Sequence, residues 1–254
     1  MQVHSLTYKE IGTGFDVVLL HGFLESPTIW KDFIKAMNAK TRSIVVHMPN
    51  HHGNQEIHLS KELSQQAKQL HQTLIEAKVN RPILIGHSLG GYLALAFIKE
   101  YPEFASGIAL VNSTCLADST EQKKRRTRAI NLVDKHPNAF IQMAIKNLFA
   151  KTYLDKYSSE IDLLINDAKK LPVAAIQASL IAMRERTDTS HILRNFEGKK
   201  LFVYGKNDPL ISVEASKKAI EKSGCPSIAL EAGHMSWLEN KESLHKTLLE
   251  FLYK

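Results

Sequence analysis

The stretch Ile83-Leu84-Ile85-Gly86-His87-Ser88-Leu89-Gly90-Gly91 constrains the fold of this chain more than any other. Three aliphatic residues suit a buried parallel strand, and Gly91-Tyr92-Leu93-Ala94-Leu95-Ala96-Phe97 suits a buried helix. Between them stands Gly-x-Ser-x-Gly, the spacing of a strand–turn–helix elbow that carries a nucleophile. A serine on so tight a turn projects its hydroxyl beyond the end of the strand. Gly86 and Gly90 remove side chains where strand and helix come closest. The helix begins at the serine, so its first N–H groups face any oxyanion formed there.

Taken in order, the chain alternates between strand and helix signals. Val3 to Glu10 reads as an edge strand, Gly12-Thr13-Gly14 as a turn, and Val17-Val18-Leu19-Leu20 as a buried strand. Pro27 to Met37 has helical spacing, Ser43 to His47 is a further strand, and Asn50 to Gln55 a loop. Ser60 to Lys78 is an amphipathic helix with Leu63, Ala67, Leu70 and Leu74 on one face. Ile108 to Val111 is the strand after the elbow helix. From Leu116 to His191 strand signals vanish and the segment is helical, with Pro137 and Pro172 at helix starts or breaks. Strand character returns at Lys200 to Gly205 and Ser227 to Glu231, around a helix from Val213 to Lys222, and the last helix spans Lys241 to Leu252. Strands separated by helices mean an α/β fold with a mainly parallel sheet covered on both faces. The chain therefore divides into a core, 1–115 and 192–254, and a helical cap, 116–191, above the carboxyl ends of the strands, where such sheets hold ligands.

A serine hydroxyl needs a base, and the base needs an orienting acid. Asp208, in Gly205-Lys206-Asn207-Asp208-Pro209, follows one strand, and His234, in Ala232-Gly233-His234-Met235, follows the last. Ser88, Asp208 and His234 thus fall at one edge of the sheet in the chain order Ser, Asp, His. Asp162, Asp167 and Asp188 are weaker acid candidates, since they lie in the helical segment. The expected oxyanion donors are the backbone N–H groups of Leu89 and of Phe23, in His21-Gly22-Phe23-Leu24 after an earlier strand. His87, Phe149, Trp237 and Met235 are candidates for the wall of a substrate pocket, although Trp237, like Trp30, reads first as core.

With these residues in place, the chain resembles the α/β-hydrolase superfamily over nearly its full length. The resemblance rests on His21-Gly22-Phe23, Gly86-His87-Ser88-Leu89-Gly90-Gly91, Gly205-Lys206-Asn207-Asp208 and Gly233-His234-Met235. It implies an eight-stranded sheet with a helical cap between strands six and seven, and a serine hydrolase without a cofactor. The motifs do not fix the substrate: the same set serves esterases, C–C bond hydrolases, lactonases and some lyases, among them the menaquinone-pathway enzyme that His21-Gly22-Phe23-Leu24 resembles. Many members carry Asp-x-Pro-Gly-His-Gly-x-Ser where this chain has His47-Met48-Pro49-Asn50-His51-His52-Gly53-Asn54, so the hydrogen bonding of that loop must differ.

The leading expectation is a carboxylesterase acting on a small-molecule acyl substrate. A C–C hydrolase or lyase with the same residues is the first alternative, and a non-catalytic receptor on the same fold the second. His47, His51, His52 and His58 raise the thought of a metal, but no carboxylate or cysteine completes a set and none is expected. Lys123-Lys124-Arg125-Arg126-Thr127-Arg128 reads as a solvated helix face, or as a dock for an acidic acyl carrier. The net charge of +7 comes with no nucleic-acid motif, and no apolar run is long enough to span a membrane. Two separated cysteines and a start without a basic and apolar leader lead one to expect a cytoplasmic protein.

Overall fold

A computed structural model describes residues 3–37, 39–54 and 59–254. Seven strands form one sheet: β1 Tyr8–Gly12, β2 Phe15–Leu20, β3 Thr41–Val46, β4 Ile83–His87, β5 Gly107–Val111, β6 Lys199–Gly205 and β7 Ser227–Leu230. Their order is β1-β3-β2-β4-β5-β6-β7. β1 is antiparallel to β3 and every other pairing is parallel.

The aliphatic strands explain why the sheet is covered on both faces. Successive side chains of a strand point to opposite sides. Val18, Leu20, Ile44, Val46, Leu84, Ile108 and Leu110 accordingly fall in one buried cluster. Their neighbours Val17, Leu19, Val45, Ile83, Ile85, Ala109 and Val111 fall in the other. Helix α1 Lys31–Ala36 belongs to the second face, where Trp30 and Phe33 are buried. The amphipathic α2 Leu63–Glu76 and the elbow helix α3 Leu89–Glu100 pack on the first through Leu70, Leu74, Leu93 and Phe97.

Among the described residues the sheet has seven strands, not the eight the resemblance implied. The edge strand expected from Val3 also starts only at Tyr8. The N–H groups of Leu6 and Thr7 go elsewhere. The N–H of Leu6 donates to Thr73 Oγ1 at 2.7 Å, that of Thr7 to Asn54 Oδ1 at 2.8 Å, and Thr7 O accepts from the His47 N–H at 2.9 Å. With the Leu6 and Thr7 N–H groups bound to a helix and a loop, the ladder to β3 goes no further than the rung from His47 N–H to Thr7 O.

Between β5 and β6 the chain is helical: α4 Thr120–Lys135, α5 Pro137–Lys146, α6 Ser158–Ala168, α7 Val173–Glu185 and α8 Ser190–Asn195. Ser119 and Gln122 close a capping box on α4, Pro137 opens α5, and Pro172 caps α7. Phe140, Ile145, Phe149, Leu180 and Met183 join these helices to the first core cluster. The chain ends with α9 Val213–Ser223, α10 Ser236–Glu239 and α11 Lys241–Tyr253, whose Leu244, Leu248 and Leu252 cover the second face. No described helix is long and apolar enough to cross a membrane. Cys115 and Cys225 are buried free thiols, and burial pushes them up to about 11 and about 12, so neither is a reactive thiolate.

Candidate active site

The carboxyl ends of β4, β5, β6 and β7 bring the site together. Ser88 follows β4 with φ 50°, a left-handed conformation that aims its side chain off the sheet. Its N–H is tied to Val111 O at 2.9 Å, and its carbonyl accepts from Ser113 Oγ at 2.8 Å. Ser88 Oγ lies 2.9 Å from His234 Nε2, and His234 Nδ1 lies 2.8 Å from Asp208 Oδ2. Three groups distant in sequence therefore form one hydrogen-bonded relay. His234 and Asp208 are both buried.

Asp208 is well held. Its Oδ1 accepts from the N–H groups of Leu210 and Ile211 at 2.8 and 3.0 Å, and its Oδ2 accepts from Asn112 Nδ2 at 3.1 Å. Burial alone would raise its pKa, but the facing His234 imidazole and the two amides lower it, so the carboxylate stays ionised. Sequence reasoning missed Asn112. Its φ of 45° turns the chain at the end of β5, and its amide also donates to Gly233 O at 2.9 Å, while Ser236 Oγ donates to its Oδ1. Glu239 was missed as well: it accepts from the Gly233 N–H at 2.5 Å and the Ala150 N–H at 3.2 Å. A polar residue just past a strand end was the only local signal for Asn112.

The two amides expected as oxyanion donors are left without a backbone partner among the described residues. Leu89 is the first residue of α3, so its N–H lies outside the intrahelical ladder. The N–H of Phe23 donates to nothing among the described residues. Phe23 sits in a turn after β2, closed by Glu25 N–H to Gly22 O at 3.4 Å.

That turn rests on the histidine-rich loop. His51 Nδ1 faces Pro49 O at 2.9 Å, and its Nε2 accepts from the Leu24 N–H at 3.3 Å. His21 does the same with Gly22 O at 3.0 Å and the Met48 N–H at 3.1 Å. A carbonyl on one nitrogen and an N–H donor on the other require the neutral ring protonated at Nδ1. Burial lowers His21 well below its usual value and brings His51 down to about 4. Asn50 takes the left-handed turn with φ 62° and locks onto both Ser60 backbone groups, at 2.8 and 2.9 Å. His47 bonds His52 O at 2.7 Å. Among the described residues no set of ligands could hold a metal. Gln55 and His58 lie outside the described residues.

The buried His51 makes stability depend on acid. Its pKa is about 4 folded and near 6.5 when exposed, so the unfolded chain takes up the proton first as pH falls. Its contribution is complete above pH 6.5 and disappears as the pH drops towards 4, a loss of about 3 kcal/mol. His51→Gln keeps a donor and an acceptor without titrating. Chemical denaturation from pH 7 to 4 should be flatter for that variant by about this amount. Parallel curves for the two proteins would reject the assignment.

A cleft of about 390 Å³ opens over Ser88 and His234. Phe23, Tyr92, Phe140, Met143, Leu148, Leu180, Met183 and Ile211 give it apolar walls, and Arg125, Arg126 and Arg186 line one side. Asp118, buried, pairs with Arg126 and with Arg186 at 2.7 Å, and Arg186 stacks 4.2 Å above the Tyr92 ring. The basic run thus splits: Arg126 turns inward, while Lys123, Lys124, Arg125 and Arg128 remain exposed.

Four pocket candidates do not line this cleft. Phe149 and Met235 are buried in the core, one residue from the lining Leu148 and His234. Trp237 packs between the two clusters. His87 is wholly buried behind the elbow. Asp188 serves as a turn former for Ser190, Asp167 pairs with Lys170 at 3.2 Å, and Asp162 is exposed, so none of the three enters the relay.

The "Alpha/beta hydrolase family" model matches residues 17–244. Among curated proteins, the chain is 25% identical to a 2-hydroxy-6-oxononadienedioate/2-hydroxy-6-oxononatrienedioate hydrolase of Burkholderia vietnamiensis, over 99% of this chain and 91% of the relative. It is 22% identical to the pimeloyl-[acyl-carrier protein] methyl ester esterase of Vibrio vulnificus, over 98% and 99% of the two chains. Among solved structures, a thermophilic esterase from Thermogutta terrifontis superposes with a TM-score of 0.88 at 24% identity, covering 97% of this chain and 92% of that one.

Proposed function

The chain belongs to the alpha/beta hydrolase family, and within it we propose a serine hydrolase that cleaves a carboxylic ester through Ser88, His234 and Asp208. The observation that carries this reading is the unbroken relay from Ser88 Oγ through the imidazole to a buried carboxylate, with steps of 2.9 and 2.8 Å.

In this reading Ser88 Oγ attacks the ester carbonyl as its proton passes to His234 Nε2. Asp208 holds the ring in the tautomer that leaves Nε2 free to accept, and offsets the charge it gains. The Phe23 and Leu89 amides bind the oxyanion, a contribution worth about 3 to 4 kcal/mol per donor. His234 then returns the proton to the departing alcohol. Water, activated by the same ring, releases the acid. The helices of 116–191 act as the cap, and their apolar residues take the acyl chain. The exposed Lys123, Lys124, Arg125 and Arg128 suit an acyl group delivered on an acidic carrier. The Vibrio relative, named for a carrier-bound ester, supports that arrangement.

A second reading keeps the same residues and cleaves a C–C bond, because one relative is named for an oxo-dienedioate substrate instead of an ester. A chain-length series of p-nitrophenyl esters, with a carrier-bound methyl ester and a vinylogous diketone alongside, separates them. The expected result is an acyl burst and turnover of the esters. Turnover of the diketone alone would replace the ester reading with the second. No advantage of the carrier-bound ester over its free counterpart would remove the carrier.

A further inference from the structure

Behind the elbow lies a second acid–imidazole pair that the relay does not use. Glu25 and His87 stand 62 residues apart, and their side chains are 2% and 1% exposed. His87 Nδ1 lies 2.9 Å from Glu25 Oε2, and the same oxygen accepts the Gly22 N–H at 2.5 Å. The other ring nitrogen, Nε2, lies 2.9 Å from the backbone carbonyl of His234. The His87 and His234 rings are 5.2 Å apart.

A carbonyl oxygen only accepts, so Nε2 of His87 must carry a hydrogen. As a carboxylate, Glu25 Oε2 accepts both the Gly22 N–H and a second hydrogen from Nδ1. The pair is therefore an imidazolium against a carboxylate. Burial, the largest single influence, would lower His87 and raise Glu25, but the partner's charge together with their mutual hydrogen bond and the bonds to His234 O and the Gly22 N–H outweighs it: His87 is raised and Glu25 lowered.

We infer that Glu25 and His87 are positioning residues that fasten the turn carrying the Phe23 amide to the loop carrying His234, fixing oxyanion donor and base at one distance about Ser88. The inference rests on the proposed serine chemistry and concerns neither the ester nor the cap. Among the described residues no other side-chain hydrogen bond or ion pair links these two segments: the turn after β2 otherwise leans on His51, and the His234 loop on Asn112 and Glu239. Neither residue of the pair touches the reacting atoms in this account. They act through Gly22 and through the His234 backbone.

Glu25→Gln is a sharp test, because one atom must serve two donors. If the amide oxygen takes the place of Oε2, it keeps Gly22 but leaves a buried imidazolium without a counter-charge. If the amide nitrogen takes it, the group donates to a neutral His87 but opposes the Gly22 N–H. The first orientation loses the ion pair, the second the Gly22 bond. His87→Gln retains a donor for the His234 carbonyl and loses the ion pair. For each variant kcat should fall roughly 10- to 100-fold with KM within about threefold, since misplacing catalytic groups by a fraction of an ångström penalises the transition state. The rate of Ser88 labelling by a fluorophosphonate should fall in proportion. The double variant should lose no more than the worse single one, as a single device requires.

All assays are run well below the melting temperature of each variant. Wild-type labelling with unchanged kcat and labelling rates in Glu25→Gln and His87→Gln would overturn the inference and leave the serine reading intact. So would independent, multiplying losses in the double variant. A wild-type protein that takes no label would end both. Should Glu25→Gln not fold, His87→Gln alone decides by the same kcat and labelling criteria.

Discussion

Asp208→Asn should lower kcat by about 10⁴-fold while KM changes little. The hydrogen bonds around Asp208 explain why so small a substitution does so much. Oδ1 receives the Leu210 and Ile211 amides, so the asparagine oxygen is drawn to that side. Its NH₂ group must then face His234 Nδ1 and the amide of Asn112. Nδ1 can only accept from that NH₂, so the ring carries its hydrogen on Nε2, the nitrogen that should take the proton from Ser88. The opposite orientation turns the NH₂ onto two backbone N–H groups and loses both bonds. Ser88→Ala should cost about 10⁶-fold, and adding Asp208→Asn to it should cost nothing further, because the members of such a relay act as a unit. Steady-state kinetics on an activated ester, with fluorophosphonate labelling as a second readout, measure both. A kcat for Asp208→Asn within tenfold of wild type would mean that the carboxylate does not set the tautomer.

The relay could be read from the sequence because each member obeys a local rule. Gly-x-Ser-x-Gly needs only a strand before it and a helix after it, and β4 and α3 fall there. Asp208 and His234 each follow an aliphatic strand by a few residues, which puts them at the same edge of a parallel sheet. Alternation and helical spacing likewise located the strands from β2 to β7 and helices α2, α3, α9 and α11, with ends shifted by a residue or a few, while for 116–191 they gave only helical character.

What remained hidden depends on partners far along the chain. Nothing near Glu25 announces His87, and nothing near Asn112 announces Asp208, 96 residues away. His51 read as a loop residue and His21 as part of a strand-end motif, yet each is a buried neutral ring bridging a donor and an acceptor. Phe149 and Met235 failed as lining residues for a related reason: sequence adjacency to a cleft residue says little, since neighbouring side chains leave the backbone in different directions. The start of β1 shifted because the side chains of Thr73 and Asn54 outcompeted the ladder for the backbone at Leu6 and Thr7.

The elbow itself offers the sharpest test of how the backbone holds the serine. A Cβ placed on Gly86 would lie 2.4 Å from both the carbonyl carbon and oxygen of Gly90 and 2.5 Å from the nitrogen of Gly91. These are backbone atoms of α3, so relief requires moving the helix that carries the Leu89 amide. Gly224, after α9, is the opposite case: its φ of +63° is left-handed, but a Cβ there would meet nothing within 4 Å. Gly224→Ala should cost only the conformational penalty of about 1 kcal/mol, with turnover intact. Gly86→Ala should cost about 3 kcal/mol or more, lowering the melting temperature by roughly 6 to 12 °C in a chain of this size. It should also reduce kcat by more than about 100-fold, because the shift needed exceeds what Ser88 and the Leu89 amide beside it can absorb. Calorimetry and turnover of both variants side by side decide the matter. If the two alanines melt together and Gly86→Ala still turns over substrate, close contact between β4 and α3 is not what keeps Ser88 in place.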